Sequence, residues 1–253
     1  MLKDASSEFK EAKLEIKEGN NEIKDLPDEI VDTDGADELP DELSLDSLDN
    51  KAGEEQAEKK ELSQDEINNL QQQAIKDGFR KIDCNEKLSD GEKGNLGEAL
   101  MDQYYIGKGY NPIHSPRVTD LEHKSGQGID GVYEKTNPDG TKSYVIADAK
   151  VNFSRLNKGL ADGTNQMSDA WIDKRLDAAV GKEKADEIRD AYEDNPDSVS
   201  KEVYRFSYDD NGNSISQSDI HSVDNDGNLN NDGKVVQVFD KNGNEIPGGK
   251  NNA

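Results

Sequence analysis

Near the middle of the chain, two aspartates and a lysine have the types and spacing to hold a metal ion and a phosphate. Asp130 stands in the run Gly128-Ile129-Asp130-Gly131-Val132-Tyr133, and Asp148 and Lys150 in the run Tyr144-Val145-Ile146-Ala147-Asp148-Ala149-Lys150. Side chains two apart on a strand share a face, so Asp148 and Lys150 point together if the second run is a strand. If the two runs pair as a hairpin, Asp130 approaches the same spot. Two carboxylates converging on an ammonium suit a hard divalent cation such as Mg2+ or Mn2+, which keeps several waters as further ligands. Such a cation lowers the pKa of a bound water and neutralises charge on the phosphate. The lysine can orient that water or stabilise the extra negative charge of the transition state. Glu98, on a preceding helix, is the natural third carboxylate. Singly, each has an ordinary reading: a turn aspartate before glycine, a solvated helix charge, a strand-end lysine. The set carries the chemistry, because convergent groups rather than isolated ones make a site.

The elements that must position these residues are legible on either side. Ser63 with Glu66, and Ser89 with Glu92, have the spacing of capping boxes. The first predicts a helix whose apolar face is Ile67, Leu70, Ala74 and Ile75. The second predicts a helix through Leu96, Leu100, Met101, Tyr104 and Tyr105, ended by Gly107 and Gly109. Residues 128–134 and 143–151 read as strands joined by the turn phrase Asn137-Pro138-Asp139-Gly140. After Asn165 the helical period returns in Met167, Trp171, Ile172, Leu176, Ala179 and Val180, then again through Ile188, Ala191 and Tyr192. From about residue 200 the phrases Asp210-Asn211-Gly212-Asn213, Asp226-Gly227-Asn228 and Lys241-Asn242-Gly243-Asn244 separate alternating runs, which predicts β-hairpins with Asn-Gly supplying positive φ. Asp224-Asn225-Asp226-Gly227 has the flavour of a calcium loop, but the acidic residue closing a 12-residue EF-hand loop is missing, so it reads as a turn. The single cysteine, Cys84, excludes an internal disulfide framework and a CxxC zinc motif. His114, His123 and His221 have no paired metal-binding spacing, which removes support for a ββα-metal nuclease or a zinc hydrolase; His114 and His123, in the loop before the hairpin, are placed to touch substrate, but are expected as surface histidines.

Composition bounds the rest. Of 253 residues only 31% are hydrophobic and 34% are charged, too little apolar material to give every residue a place around a core. The net charge of −25 is uneven. Residues 1–66 carry 8 Lys/Arg against 23 Asp/Glu, 67–93 carry 5 of each, 94–185 carry 12 against 13, and 186–253 carry 6 against 15. The acid lies in the flanks and the middle is near neutral, so an acidic whole does not exclude nucleic-acid chemistry in the centre. Residues 25–60, with Pro27, Pro40 and repeated Asp-Glu-Leu phrases, read as an acidic linker, and 1–24 as a thinly amphipathic helix. No apolar run approaches the ~20 residues that span a bilayer, and the N-terminus has no signal-peptide core. The expected segments are 1–60, acidic and disordered or loosely helical; 61–93, a helical lead-in; 94–199, the domain bearing the site; and 200–253, a β-hairpin extension.

Asp130, then Asp148-Ala149-Lys150, preceded by the helical Glu98, resembles the PD-(D/E)XK nuclease superfamily. A narrower likeness rests on an ordered series: Gly94-Asn95-Leu96-Gly97-Glu98, Asp102-Gln103-Tyr104, Gly109-Tyr110, Gly128 to Tyr133, Ala147 to Lys150, and Gln166-Met167-Ser168-Asp169-Ala170-Trp171. Over residues 94–185, a little over a third of the chain, this series is similar to the polymorphic nuclease effectors (PoNe), DNase toxin domains of bacterial polymorphic toxins. One departure is Asp148, where many relatives have Glu; the superfamily accepts either. The resemblance implies an α/β (α+β) fold with a restriction-endonuclease-like core, a mixed sheet flanked by helices in the order αβββαβ, beside a largely disordered acidic N-terminal region and the C-terminal hairpins. It implies Asp130, Asp148 and Glu98 as ligands of Mg2+, Mn2+ or another divalent metal, Lys150 as the catalytic lysine, and Gln166 as a polar helical residue reaching the site. Ser168 and Trp171 would touch substrate, Trp171 by stacking on a base, although helical spacing favours a core tryptophan.

The activity so implied is metal-dependent DNA hydrolysis by an interbacterial toxin. Its partners would be DNA, a cognate immunity protein and the producing cell's secretion machinery, with no membrane insertion, and its place of action the target cell's cytoplasm. Two other readings are open from the residues. An RNase, for instance one cutting tRNA, would use the same metal and lysine, because substrate choice lies in groove shape and 2′-OH contacts. A non-catalytic acidic DNA mimic or partner-binding protein would spread its acid over the folded domain.

Overall fold

Both serine–glutamate boxes close as their spacing predicts. In the computed structural model, which describes residues 61–124, 126, 128–208 and 216–247, Ser63 caps helix α1 (Gln64–Asp83) and Ser89 caps helix α2 (Asp90–Gly107). In each the glutamate takes the cap residue's own N–H at 2.8 Å. The described residues belong to one unit, Glu58–Ala253. The acidic segment 1–60 and its expected linker, and the turn phrase at 210–213, lie outside them. The buried face of α1 is Gln71, Ala74, Ile75, Gly78, Phe79 and Ile82. It is rotated from the expected one: Leu70 is 41% exposed, and Phe79 and Ile82 extend the stripe instead.

Six strands among the described residues form one sheet in chain order, β1 (Asn111–Pro112), β2 (Gly131–Thr136), β3 (Lys142–Val151), β4 (Val199–Ser207), β5 (Ser216–Ser222) and β6 (Lys234–Phe239). Only β3 and β4 run parallel. A parallel neighbour needs a crossover, which helices α3 (Asp169–Val180) and α4 (Lys182–Asp194) supply. Alternation along the strands then builds two cores. Tyr133, Val145, Ala147, Tyr204 and Phe206 face α1 and α2, while Val132, Tyr144, Ile146 and Val203 face α3 and α4. The fold is thus mixed α+β, a mixed sheet between two helical layers.

The outer segments share this body. Phe79 of α1 is 1% exposed and Phe239 of β6 is 3% exposed, and the two rings lie 5.4 Å apart in the first core. Leu96, Leu100, Met101 and Tyr105 of α2 are buried there too. Gly97 lets that helix lie on β3, since a Cβ there would stand 2.9 Å from Val151 Cγ2. Among the described residues no helix is long and apolar enough to cross a membrane.

The turn chemistry differs from the two-residue Asn-Gly expectation. In 224–228 and 240–244 the positive φ falls on Gly227 (79°) and Gly243 (78°), with no asparagine of these loops sharing it. The first aspartate closes each loop. Asp224 Oδ1 accepts the N–H groups of Asp226 and Asn228 at 3.0 and 2.7 Å, and Asp240 Oδ1 those of Asn242 and Asn244, both at 2.9 Å. These are aspartate-closed turns, whose carboxylates are already engaged by backbone donors.

Candidate active site

The hairpin register decides whether the separated aspartates meet. Gly131 pairs with Ala147 and Val132 with Ile146, so the next antiparallel step sets Asp130 opposite Asp148. Asp130 Oδ2 accepts the Ala149 N–H at 3.0 Å, which ties its carboxylate to β3 beside Asp148. The Asp148 side chain is fully buried, and Lys150, with 12% of its side chain exposed, brings Nζ to 2.5 Å from Asp148 Oδ2. Glu98 enters from α2, one residue beyond the glycine that lets the helix approach β3.

Gln166 completes the cluster from a position the sequence misread. It lies in a turn before α3, which begins only at Asp169. The glutamine is nonetheless bound at both ends of its amide. Nε2 donates to Asp148 Oδ1 at 2.6 Å, and Oε1 accepts the Asn157 N–H at 3.0 Å. The next residue, Met167, is fully buried and has φ 66°, a left-handed conformation that a non-glycine residue holds only where its surroundings enforce it. The C-terminal loop 224–228 supplies part of that enforcement. Asn165 donates to Asp226 O at 3.1 Å, and Asp169 N–H to Asn225 O at 3.0 Å. A Cβ on Gly227 would come within 2.5 Å of Gln166 O. Lys201 of β4 pairs with Asp169 and donates to Asp224 O and Asn225 Oδ1.

Electrostatics follow from three carboxyls and one ammonium in little water. Burial pushes Glu98 up to about 7, helped by the charges of Asp102 and Asp148 and opposed by Lys150. Burial likewise holds Asp130 well above the usual carboxylate range, with Asp148 and Glu98 adding to the effect. Asp148 is raised mainly by burial, and Lys150 and a hydrogen bond with Asp130 pull it back. The site as it stands therefore favours protons or cations over free negative charge.

The donors fit a hard cation in one specific way. Asp148 is fully buried with its Oδ2 paired to the Lys150 ammonium, and Asp130, tied to the Ala149 N–H, lies beside it. Among those residues no group of three or more His, Cys, Asp or Glu is arranged to hold a metal ion. The set is thus two aspartates with Glu98 acting through its charge, and one or two carboxylates plus waters and phosphate oxygens is what Mg2+ takes.

Two polar groups are buried in a way the sequence reading did not anticipate. Asp102, one helical turn beyond Glu98, is 2% exposed. It accepts from Arg117 Nε at 2.8 Å, Gln71 Nε2 at 2.5 Å and Tyr133 Oη at 2.6 Å. Arg117 also donates to Gln64, Asn68 and Gln71, so the cluster bolts α1 to α2. In the sequence Asp102 stands in the ordered series as Asp102-Gln103-Tyr104, with no role attached. His114, expected at the surface, is 7% exposed. Its Nδ1 lies 3.2 Å from the Val132 nitrogen and 3.3 Å from the Val132 carbonyl oxygen, and burial lowers its pKa. Its burial follows from strand β1 crossing beside β2.

Glu98, Asp130, Ile129, His114, His123 and Arg175 line one cleft. Ser168 caps α3, accepting the Trp171 N–H at 3.3 Å, and Trp171 is 3% exposed within the second core. The Arg175 guanidinium covers the Trp171 ring, 4.7 Å from its centroid. The tryptophan is thus packed on both sides. Comparison with protein-family models, with curated proteins and with solved structures gave no match, so the likeness to the nuclease effectors stands on the ordered motifs alone.

Proposed function

We propose that the chain is a divalent-metal-dependent endonuclease that hydrolyses DNA phosphodiesters, the toxic part of an interbacterial competition effector. The observation that carries this reading is the meeting of Asp130, Asp148 and Lys150, with Gln166 bound to Asp148. The element order supports it: helix α2, strands β1 to β3, a helical crossover and β4 parallel to β3 follow the αβββαβ order of the PD-(D/E)XK superfamily. DNA is the substrate by the motif resemblance. The same resemblance implies a cognate immunity protein, delivery by the producing cell's secretion machinery and action in the target's cytoplasm.

Mg2+ or Mn2+, when bound by Asp130 and Asp148, would acidify a water and neutralise phosphate charge. The chain's own residues do the remaining work. Asp148 holds the Lys150 ammonium at the sheet surface, where it faces the charge that grows on the phosphate. Gln166 fixes the Asp148 carboxylate by occupying Oδ1 and leaving Oδ2 to the lysine side. Glu98 and Asp130 keep their protons more readily than free carboxylic acids, and give them up when positive charge enters the site.

The test is incubation of the protein and of Asp148→Ala with plasmid DNA and with total RNA, each with Mg2+ or Mn2+. DNA loss with the parent alone is the expected result. Cleavage that survives in the variant overturns the site, and loss of RNA only overturns the substrate.

A further inference from the structure

Three residues beyond Lys150 the chain carries an aromatic ring into solvent. Phe153 is 98% exposed, whereas the next most exposed large apolar side chains among the described residues reach 41%. The turn that presents it is firmly built. Asn152 adopts φ 53°, its N–H donates to Phe206 O at 2.8 Å, and its Oδ1 accepts the Tyr208 N–H at 2.9 Å. Val151 and Leu156, on either side, are buried. The backbone is thus anchored on β4 while the ring is left bare.

The segment that bears the ring is basic in sequence. From Lys150 to Ala161 this otherwise acidic chain carries Lys150, Arg155 and Lys158 and no Asp or Glu. Arg155 is exposed. Arg205, the register partner of Lys150 on β4, has Nε buried with no hydrogen-bond partner among the described residues. Lys150 is paired with Asp148 and Lys158 with the loop at Gly227 and Asn228, so the bare ring has the exposed guanidinium of Arg155 two residues on, a pairing that takes nucleobases and phosphates together.

We propose that Phe153 stacks on a base of the bound strand within about three steps of the scissile phosphate, and that the substrate is a nucleic acid with accessible bases, single-stranded or locally opened. Three residues span at most roughly 10 Å, and less across this turn, which is about three base steps at 3.4 Å each, so the ring stands within a few bases of the site. This rests on the nuclease reading.

The experiment measures binding of a short single-stranded DNA carrying one 2-aminopurine to the Asp148→Ala protein, alone and with Phe153→Ala or Phe153→Trp added. Cleavage of single-stranded and fully paired DNA is measured in the Asp148 background. Phe153→Ala should weaken single-strand binding about tenfold, within the range for one stacked base, and abolish quenching of the 2-aminopurine. Phe153→Trp should restore both, and thermal stability should not change. Unaltered binding and quenching in Phe153→Ala overturn the proposal and leave the nuclease reading intact. An equal loss of cleavage on paired and unpaired DNA overturns the accessible-base part. No binding and no cleavage by any of the proteins overturns the nuclease reading and this proposal with it.

Discussion

Glu98, Asp130 and Asp148 share a small volume with one ammonium, Lys150, and burial makes each carboxyl resist ionisation. For Glu98 the consequence has a definite sign. Its pKa of about 7 in the folded chain lies above its ordinary value of 4.5. The protonated form is therefore favoured by folding, and its contribution to stability is complete below the ordinary value and lost as pH rises through about 7. In the presence of a chelator, Glu98→Gln should gain thermal stability relative to the parent as pH rises from about 5 to 8. Melting temperatures compared across that interval check this, and a pH-independent difference would show that Glu98 ionises freely. Added Mg2+ should narrow the difference, because a cation stabilises the ionised parent.

At the scale of elements, the site is held by segments from distant parts of the chain. The turn bearing Gln166 rests on the loop between β5 and β6, and the contact is close at Gly227. An alanine there would have to adopt a φ near 79° and push Gln166 O from 2.5 Å. A left-handed L-residue costs about 1–2 kcal/mol, and the displaced backbone adds to that. Gly227→Ala should lose about 2 kcal/mol or more of stability and lower cleavage, because Gln166 shifts from Asp148. Denaturant melts and initial rates measured side by side check this. A variant as stable and active as the parent would mean the loop does not position the turn.

At the scale of the whole molecule, the core does not respect the segments suggested by motif likeness. The similarity begins at Gly94, yet Phe79 and the Asp102–Arg117 cluster make α1 part of the same body. Losing one buried phenylalanine costs about 3–5 kcal/mol, a large share of the 5–15 kcal/mol that domains commonly possess. A chain beginning at Gly94 should therefore fail to melt cooperatively, while one beginning at Glu61 should do so. Circular dichroism melts of the two distinguish these outcomes, and a cooperative transition in the shorter chain would show α1 to be dispensable.

Much of the local structure follows from residue type at fixed spacing. The serine–glutamate boxes set both helix starts, and the small and β-branched residues of 143–151 set strand β3 and put Asp148 beside Lys150, because these effects act over a few residues. The approach of Asp130 also followed, since a hairpin needs only a turn and a register. The burial of His114, the partners of Asp102 and the seat of Gln166 could not be read this way. Each depends on contacts with residues far along the chain, and the left-handed Met167 that ends the Gln166 turn is imposed by its buried side chain against local preference. Tertiary structure alone decided those, because burial turns a polar side chain that water would satisfy into one that must find a partner in the fold.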